Sequence, residues 1–148
     1  MKKLLLIILT LCLSLNLFGC KNIYPELNDD AKEYKFGSLT YGDDEEGYVT
    51  VEYNGRTYIP YGVLSGTIHE NDIKECIGYV FNEEFPEDND TRLFTLVSDP
   101  DENFLMIHYV ANSFMNPPSF LRAVDTKDIE IDIPSFILSL DYDEYWNN

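Results

Sequence analysis

The sequence predicts a mainly β (α+β) fold: a single small antiparallel sheet, curled as a barrel or sandwich, with one short C-terminal helix. Three observations carry this. Asn54-Gly55 lies between the β-rich runs 48–53 and 56–60. The turn-forming stretch Asp99-Pro100-Asp101-Glu102-Asn103 separates two further runs. No long helical crossover lies between the strands, as a parallel α/β arrangement would require.

The first hairpin is the clearest element. Asn-Gly suits a two-residue turn, because both of its positions need positive φ. Such a turn sets Tyr53 opposite Arg56 and Val51 opposite Tyr58 on one face. Pro60, lacking an N–H, is expected to end the ladder. Further strands are expected over 73–81, 91–98 and 104–110, with a polar loop over 83–90. Another is expected over 119–124, entered through Asn116-Pro117-Pro118. Asp132-Ile133-Pro134-Ser135 resembles a helix start, and Leu138, Tyr142, Tyr145 and Trp146 would then share one helical face. Residues 47–148 form one domain, with enough chain for one modest core. There is no internal repeat.

The N-terminus reads as an address. Met1-Lys2-Lys3 is positive, and residues 4–18 are almost wholly apolar. The run is short for a membrane span and fits a secretory signal peptide over residues 1–19. Leu17-Phe18-Gly19-Cys20 resembles the lipobox of bacterial lipoprotein precursors, with Phe18 where that family prefers a small residue. The resemblance covers the first 20 residues. It implies cleavage before Cys20, lipidation of its sulfur, and an extracytoplasmic protein anchored by lipid to the bacterial cell membrane. Two acyl chains, at about 0.8 kcal/mol per buried CH₂, anchor stably without a spanning segment. Residues 20–46 hold Asp29-Asp30 and Asp43-Asp44-Glu45-Glu46 and read as an acidic flexible tether. Its root-mean-square reach would be roughly 25–30 Å. Within it, 34–41 is a candidate to pack onto the domain.

Charge narrows the partners. The chain has 10 Lys+Arg against 27 Asp+Glu; loss of Lys2 and Lys3 with the leader leaves 8 against 27, or −19. That field opposes nucleic acid and anionic headgroups, and favours cationic partners. With Cys12 discarded and Cys20 lipidated, Cys76 is alone in the mature domain and has no intramolecular disulfide partner. Glu75 beside it disfavours a catalytic thiolate, so Cys76 reads as a small buried hydrophobe.

The search for catalytic chemistry returns little. His69-Glu70 begins like a zinc-protease helix, but Ile73 stands where the second histidine belongs. Gly62-Val63-Leu64-Ser65-Gly66 is misspaced for a nucleophile elbow. The two histidines exclude a three-histidine zinc site, and His108, sharing a face with Phe104 and Met106, reads as a hydrogen-bonded core residue. Asp99 to Asn103 imitates the start of a calcium loop. It fails at Phe104, where glycine is needed, and at Val110, where the bidentate glutamate is needed. Asp88-Asn89-Asp90 is a similar fragment. No metal or other cofactor is expected.

Aromatic content, 14% of the chain, is the remaining lead. Tyr61, Phe114, Met115 and Phe120 sit where loops at the rim of a β domain are expected, and Pro117-Pro118 stiffens the 111–120 segment. They are the candidate ligand-binding residues. The reading is a non-enzymatic, surface-anchored module that binds an envelope protein or peptide. One alternative is an inhibitor or immunity-type protein against a basic envelope enzyme or toxin. Another is an enzyme or enzyme accessory using a carboxylate pair drawn from Asp99, Asp101 and Glu102.

Overall fold

The Asn54-Gly55 turn forms as its residue types require. In the computed structural model, which describes residues 23–40, 47–112, 116–140 and 144–147, Asn54 has φ 49° and Gly55 φ 76°. Strands β3 (Tyr48–Tyr53) and β4 (Arg56–Leu64) pair with Val51 opposite Tyr58 and Tyr53 opposite Arg56, the expected register. Strands β5 (Ile73–Val80), β6 (Thr91–Leu96), β7 (Phe104–Tyr109) and β8 (Ser119–Ala123) follow, and from β6 to β8 each pairs antiparallel with the one before. The 99–103 turn joins β6 to β7, and Glu102 takes φ 53° within it.

Two short strands lie ahead of these: β1 (Lys32–Tyr34) and β2 (Gly37–Leu39). A ninth, β9 (Ile137–Ser139), lies after them. The sheet order is β1-β5-β6-β7-β8-β4-β3-β2, with β9 beside β4. It curls as a half-barrel. Register shifts in β5 at Ile73/Glu75 and Cys76/Gly78, and in β4 at Pro60/Gly62, add bend and twist where the curl needs them. The two outermost strands are consecutive in the chain. β1 pairs parallel with β5 at one side, β2 pairs antiparallel with β3 at the other, and Lys35-Phe36 spans the interval. Gly78, at φ 151°, makes room for this strand, since a Cβ there would strike the Lys32 carbonyl and the Tyr34 ring.

The core lies on both faces of the sheet, where one modest core was expected. Inside the curl, Tyr34, Val51, Tyr53, Tyr58, Val80, Leu93, Leu105, Leu121 and Ala123 form one cluster. The Tyr34 and Tyr53 rings, from strands at opposite sides of the sheet, approach to 6.3 Å. The outer face carries Ile73, Cys76, Phe94, Leu96, Phe104, Met106 and Phe120. Irregular chain covers it: Ile23, Tyr24 and Leu27 from the N-terminal side, Ile131, Phe136 and Trp146 from the C-terminal side.

Several expectations are corrected. The C-terminal helix is not formed as a closing element. Residues 137–139 pair with β4 as β9, on the edge β3 leaves free beyond Tyr58, and among the described residues α-helical geometry is limited to one turn, Glu144–Asn147. Sheet pairing outcompetes the helical pattern because β4 otherwise exposes an unpaired edge. Pro60 does not end β4; it falls between the last β3 pair and the first β9 pair, next to the register shift. The described part of the expected tether, 23–40, belongs to the domain: it supplies β1, β2 and the buried rings of Tyr24 and Tyr34. Its alternate apolar residues fill both faces of the curl. Cys76 is free and buried, as expected.

The hairpin gives a direct test. Nothing lies within 4 Å of a Cβ built on Gly55, so a substitution there meets only the cost of its backbone conformation. Gly55→Val should destabilise the domain by about 1–2 kcal/mol. An unchanged thermal melt would show that positive φ is not needed at this turn.

Candidate functional site

The two ends of the half-barrel differ in chemistry. At the hairpin end, Arg56 ties the β3–β4 turn to the β6–β7 turn. Its Nη1 donates to the carbonyls of Asp101 and Glu102, both at 2.9 Å, and its Nη2 donates to Asn103 Oδ1 at 3.2 Å. Nε and Nη2 also grip the Asp125 carboxylate, the closest approach being 2.7 Å. This guanidinium holds the Asp125 carboxyl below its ordinary range.

The acidic turn is built into the same lattice. Asp99, 4% exposed, accepts the Phe104 N–H at 2.6 Å. Burial raises its pKa, and the Phe104 and Asn103 N–H groups partly offset that. Glu102 accepts from Asn54 Nδ2 at 3.1 Å, and its carbonyl accepts the Tyr58 hydroxyl at 2.7 Å. Tyr58 is pushed up to about 12, mainly by burial. Asp99 and Glu102, two of the three carboxylates proposed for catalysis, thus hold the turn. Among the described residues, no three His, Cys, Asp or Glu side chains converge to hold a metal ion.

His108 lies on the outer face with Phe104 and Met106, 2% exposed. The expected hydrogen bond is missing: among the described residues, neither ring nitrogen has a partner. The Tyr24 ring covers the imidazole at 4.3 Å between centroids, and Arg92 is its register partner on β6. Burial lowers the His108 pKa. An imidazole sealed in this way has no access to a substrate.

Of the expected aromatic rim, the two described residues, Tyr61 and Phe120, are buried. Tyr61 is buried, with its ring 5.3 Å from Phe104 and 5.6 Å from Trp146. Phe120 is 0% exposed and packs against Phe136 at 5.8 Å. Alternation along β4 and β8 turns both side chains onto the outer core, so neither offers a ligand an open face. Phe114, Met115 and Cys20 lie outside the described residues.

The other end carries an aromatic-lined concavity. A cleft of about 510 Å³ is lined by Lys35, Phe36, Val80, Phe81, Asn82, Glu83 and Thr91. It forms where β1 gives way to β2, so that Phe36 stands 51% exposed at its lip. The Lys35 ammonium sits 5.2 Å over the Phe81 ring and 4.0 Å from Glu33. The loop from Asn82 back to Thr91 adds exposed Glu83, Glu84, Phe85 and Glu87. The cleft is lined by two phenylalanines, one lysine and one glutamate, and the loop beside it is acidic. It suits an apolar side chain flanked by cations. The sequence presents Lys35-Phe36 only as part of the 34–41 stretch that is a candidate to pack onto the domain, not as the wall of a cleft. The signal was Tyr34-Lys35-Phe36, with two aromatics at strand spacing inside a polar stretch.

Comparison of the chain with known protein families, curated proteins and solved structures finds no match.

The sealed histidine sets a pH dependence. The folded state prefers neutral imidazole, while the unfolded chain takes up a proton near the ordinary value of 6.5. The contribution of His108 to stability is therefore present above about pH 6.5 and declines as pH falls below it toward the depressed folded value. Urea midpoints measured from pH 8 to 5 should fall more steeply for the native chain than for His108→Leu. Parallel curves would remove this role.

Proposed function

We propose that the chain is a bacterial lipoprotein, lipidated on Cys20, whose domain is a non-enzymatic module that binds a basic segment of an envelope protein or peptide. The observation that carries the binding reading is the cleft between Lys35-Phe36 and Val80-Phe81, with an exposed phenylalanine at its lip, Glu83 in its lining and further exposed glutamates in the adjoining loop. Its volume falls in the usual range for ligand sites, about 300–1,000 Å³. The chain's excess of acidic residues adds long-range attraction for a cationic partner. The lipobox-like Leu17-Phe18-Gly19-Cys20 supports the anchor, and no helix among the described residues is long and apolar enough to cross a membrane. The structural engagement of Asp99 and Glu102 and the sealing of His108 favour binding over catalysis.

Anchoring and binding are separately measurable. Cys20→Ser should move the protein from the membrane fraction to the soluble fraction, or leave the leader uncleaved, with an unaltered thermal melt. Membrane retention of a processed Cys20→Ser chain would contradict the anchor. On a peptide array, the domain should select sequences that combine Lys or Arg with aromatic or aliphatic residues, and Phe36→Ser should lower that binding about tenfold or more. Selection without basic residues, or binding indifferent to Phe36→Ser, would contradict the cleft as the site.

A further inference from the structure

The path of residues 23–36 places Tyr24 toward one end of the half-barrel. The registers Tyr79↔Arg92 and Arg92↔His108 place His108 at the level of Tyr79, close to the cleft end of β5. Tyr24 packs on that histidine, and its ring is 5.7 Å from Phe94. The chain then descends. Asn28, Asp30 and Ala31 line a hollow with Glu75, Cys76 and Ile77, and Lys32 begins β1 at the level of Gly78. From there β1 climbs back to Phe36 and the cleft. Tyr24 therefore sits toward the cleft end. Cys20 precedes Tyr24 by four positions, a span of at most about 15 Å whatever its conformation.

We propose that the cleft end of the half-barrel faces the bilayer at short range, and that the cleft takes a basic, apolar segment of a protein lying at the membrane surface. This rests on the lipid-anchor and binding readings above. With Ile23, Tyr24 and Leu27 packed on the outer core, residues 23–27 form a mount that holds the domain close to its lipid. The cleft then opens toward the space between domain and membrane. Glu83 lines it, Glu33 sits 4.0 Å from the Lys35 ammonium, and Glu84 and Glu87 are exposed in the adjoining loop; together they outnumber Lys35 and repel anionic headgroups, so the margin favours cationic side chains over phospholipid. Phe36, 51% exposed at the lip of the cleft, supplies the apolar contact.

The test uses the lipidated chain in phosphatidylcholine vesicles bearing a headgroup acceptor dye. A donor dye is placed on Glu83→Cys at the cleft end or on Asp101→Cys at the opposite end; Cys76 is buried and stays unlabelled. A strand as long as β5 spans roughly 26 Å, so the two positions are well resolved. Energy transfer should be several-fold higher from Glu83→Cys, and a 20-residue Gly/Ser insertion after Asn22 should abolish the difference. Equal transfer, or stronger transfer from Asp101→Cys, overturns the orientation. The mass of the same sample reports the lipid, which separates a missing anchor from a wrong orientation. A lipid-coupled Lys/Phe peptide in the vesicles should raise the anisotropy of the Glu83→Cys donor, and a Glu/Phe peptide should not. Equal responses overturn the chosen occupant. So does quenching of that donor by nitroxides on the acyl chains, because the cleft would then hold lipid.

Discussion

The arrangement depends on one stretch of chain serving both sides of a curled sheet. A sheet that does not close exposes two rows of unpaired N–H and C=O groups. Here β1 covers the side presented by β5 and β2 covers the side presented by β3. The Phe81 N–H extends the first pairing by donating to the Tyr34 carbonyl at 2.8 Å. Gly78 permits the close approach, and the Tyr34 and Tyr53 rings fill the space inside. Because one segment cannot pair with both neighbours along its whole length, it changes partner at Lys35-Phe36. The cleft lies at that change. Its position is a consequence of how the half-barrel is completed.

A sheet buried on both faces needs cover from outside itself, since β6, β7 and β8 present large side chains in both directions. The chain ends provide it. On the C-terminal side, Trp146 donates its Nε1–H to the Pro60 carbonyl at 2.8 Å and lies 4.7 Å over the Arg122 guanidinium. On the N-terminal side, Tyr24 closes over Phe94 and His108. Sealing an imidazole without a hydrogen bond is energetically unfavourable. The N-terminal cover is therefore the part of the outer core whose stability is most closely coupled to proton uptake.

The strand-rich half of the fold was legible in the sequence where local chemistry decides the outcome. Asn54-Gly55 allowed the hairpin register to be read to the residue, because positive φ at both positions leaves few alternatives. The 99–103 turn was equally readable, although its acidic residues suggested metal or catalysis when their work is to accept hydrogen bonds from Phe104, Asn54 and Arg56. The N-terminal strands were illegible because β1 and β2 are three residues each, in a polar stretch, with partners 46 and 9 to 13 positions away. Ile137–Ser139 was misread for a related reason: its helical spacing is local, while the free edge of β4 that captures it is not. The candidate site inherited this blindness. Tyr61 and Phe120 lie within strands whose side chains turn inward, and one wall of the cleft lies in the 34–41 stretch, a candidate only to pack onto the domain.

Amide hydrogen exchange over residues 30–40, followed by mass spectrometry, tests this account most directly. If Lys32–Leu39 completes the half-barrel, the amides of these residues that face β5 and β3 should exchange as slowly as the β5–β6 pairing and gain exchange together with it under denaturant. Complete exchange of the 30–40 peptide within seconds, while β5 to β8 stay protected, would show a free tether and leave the cleft without one of its walls.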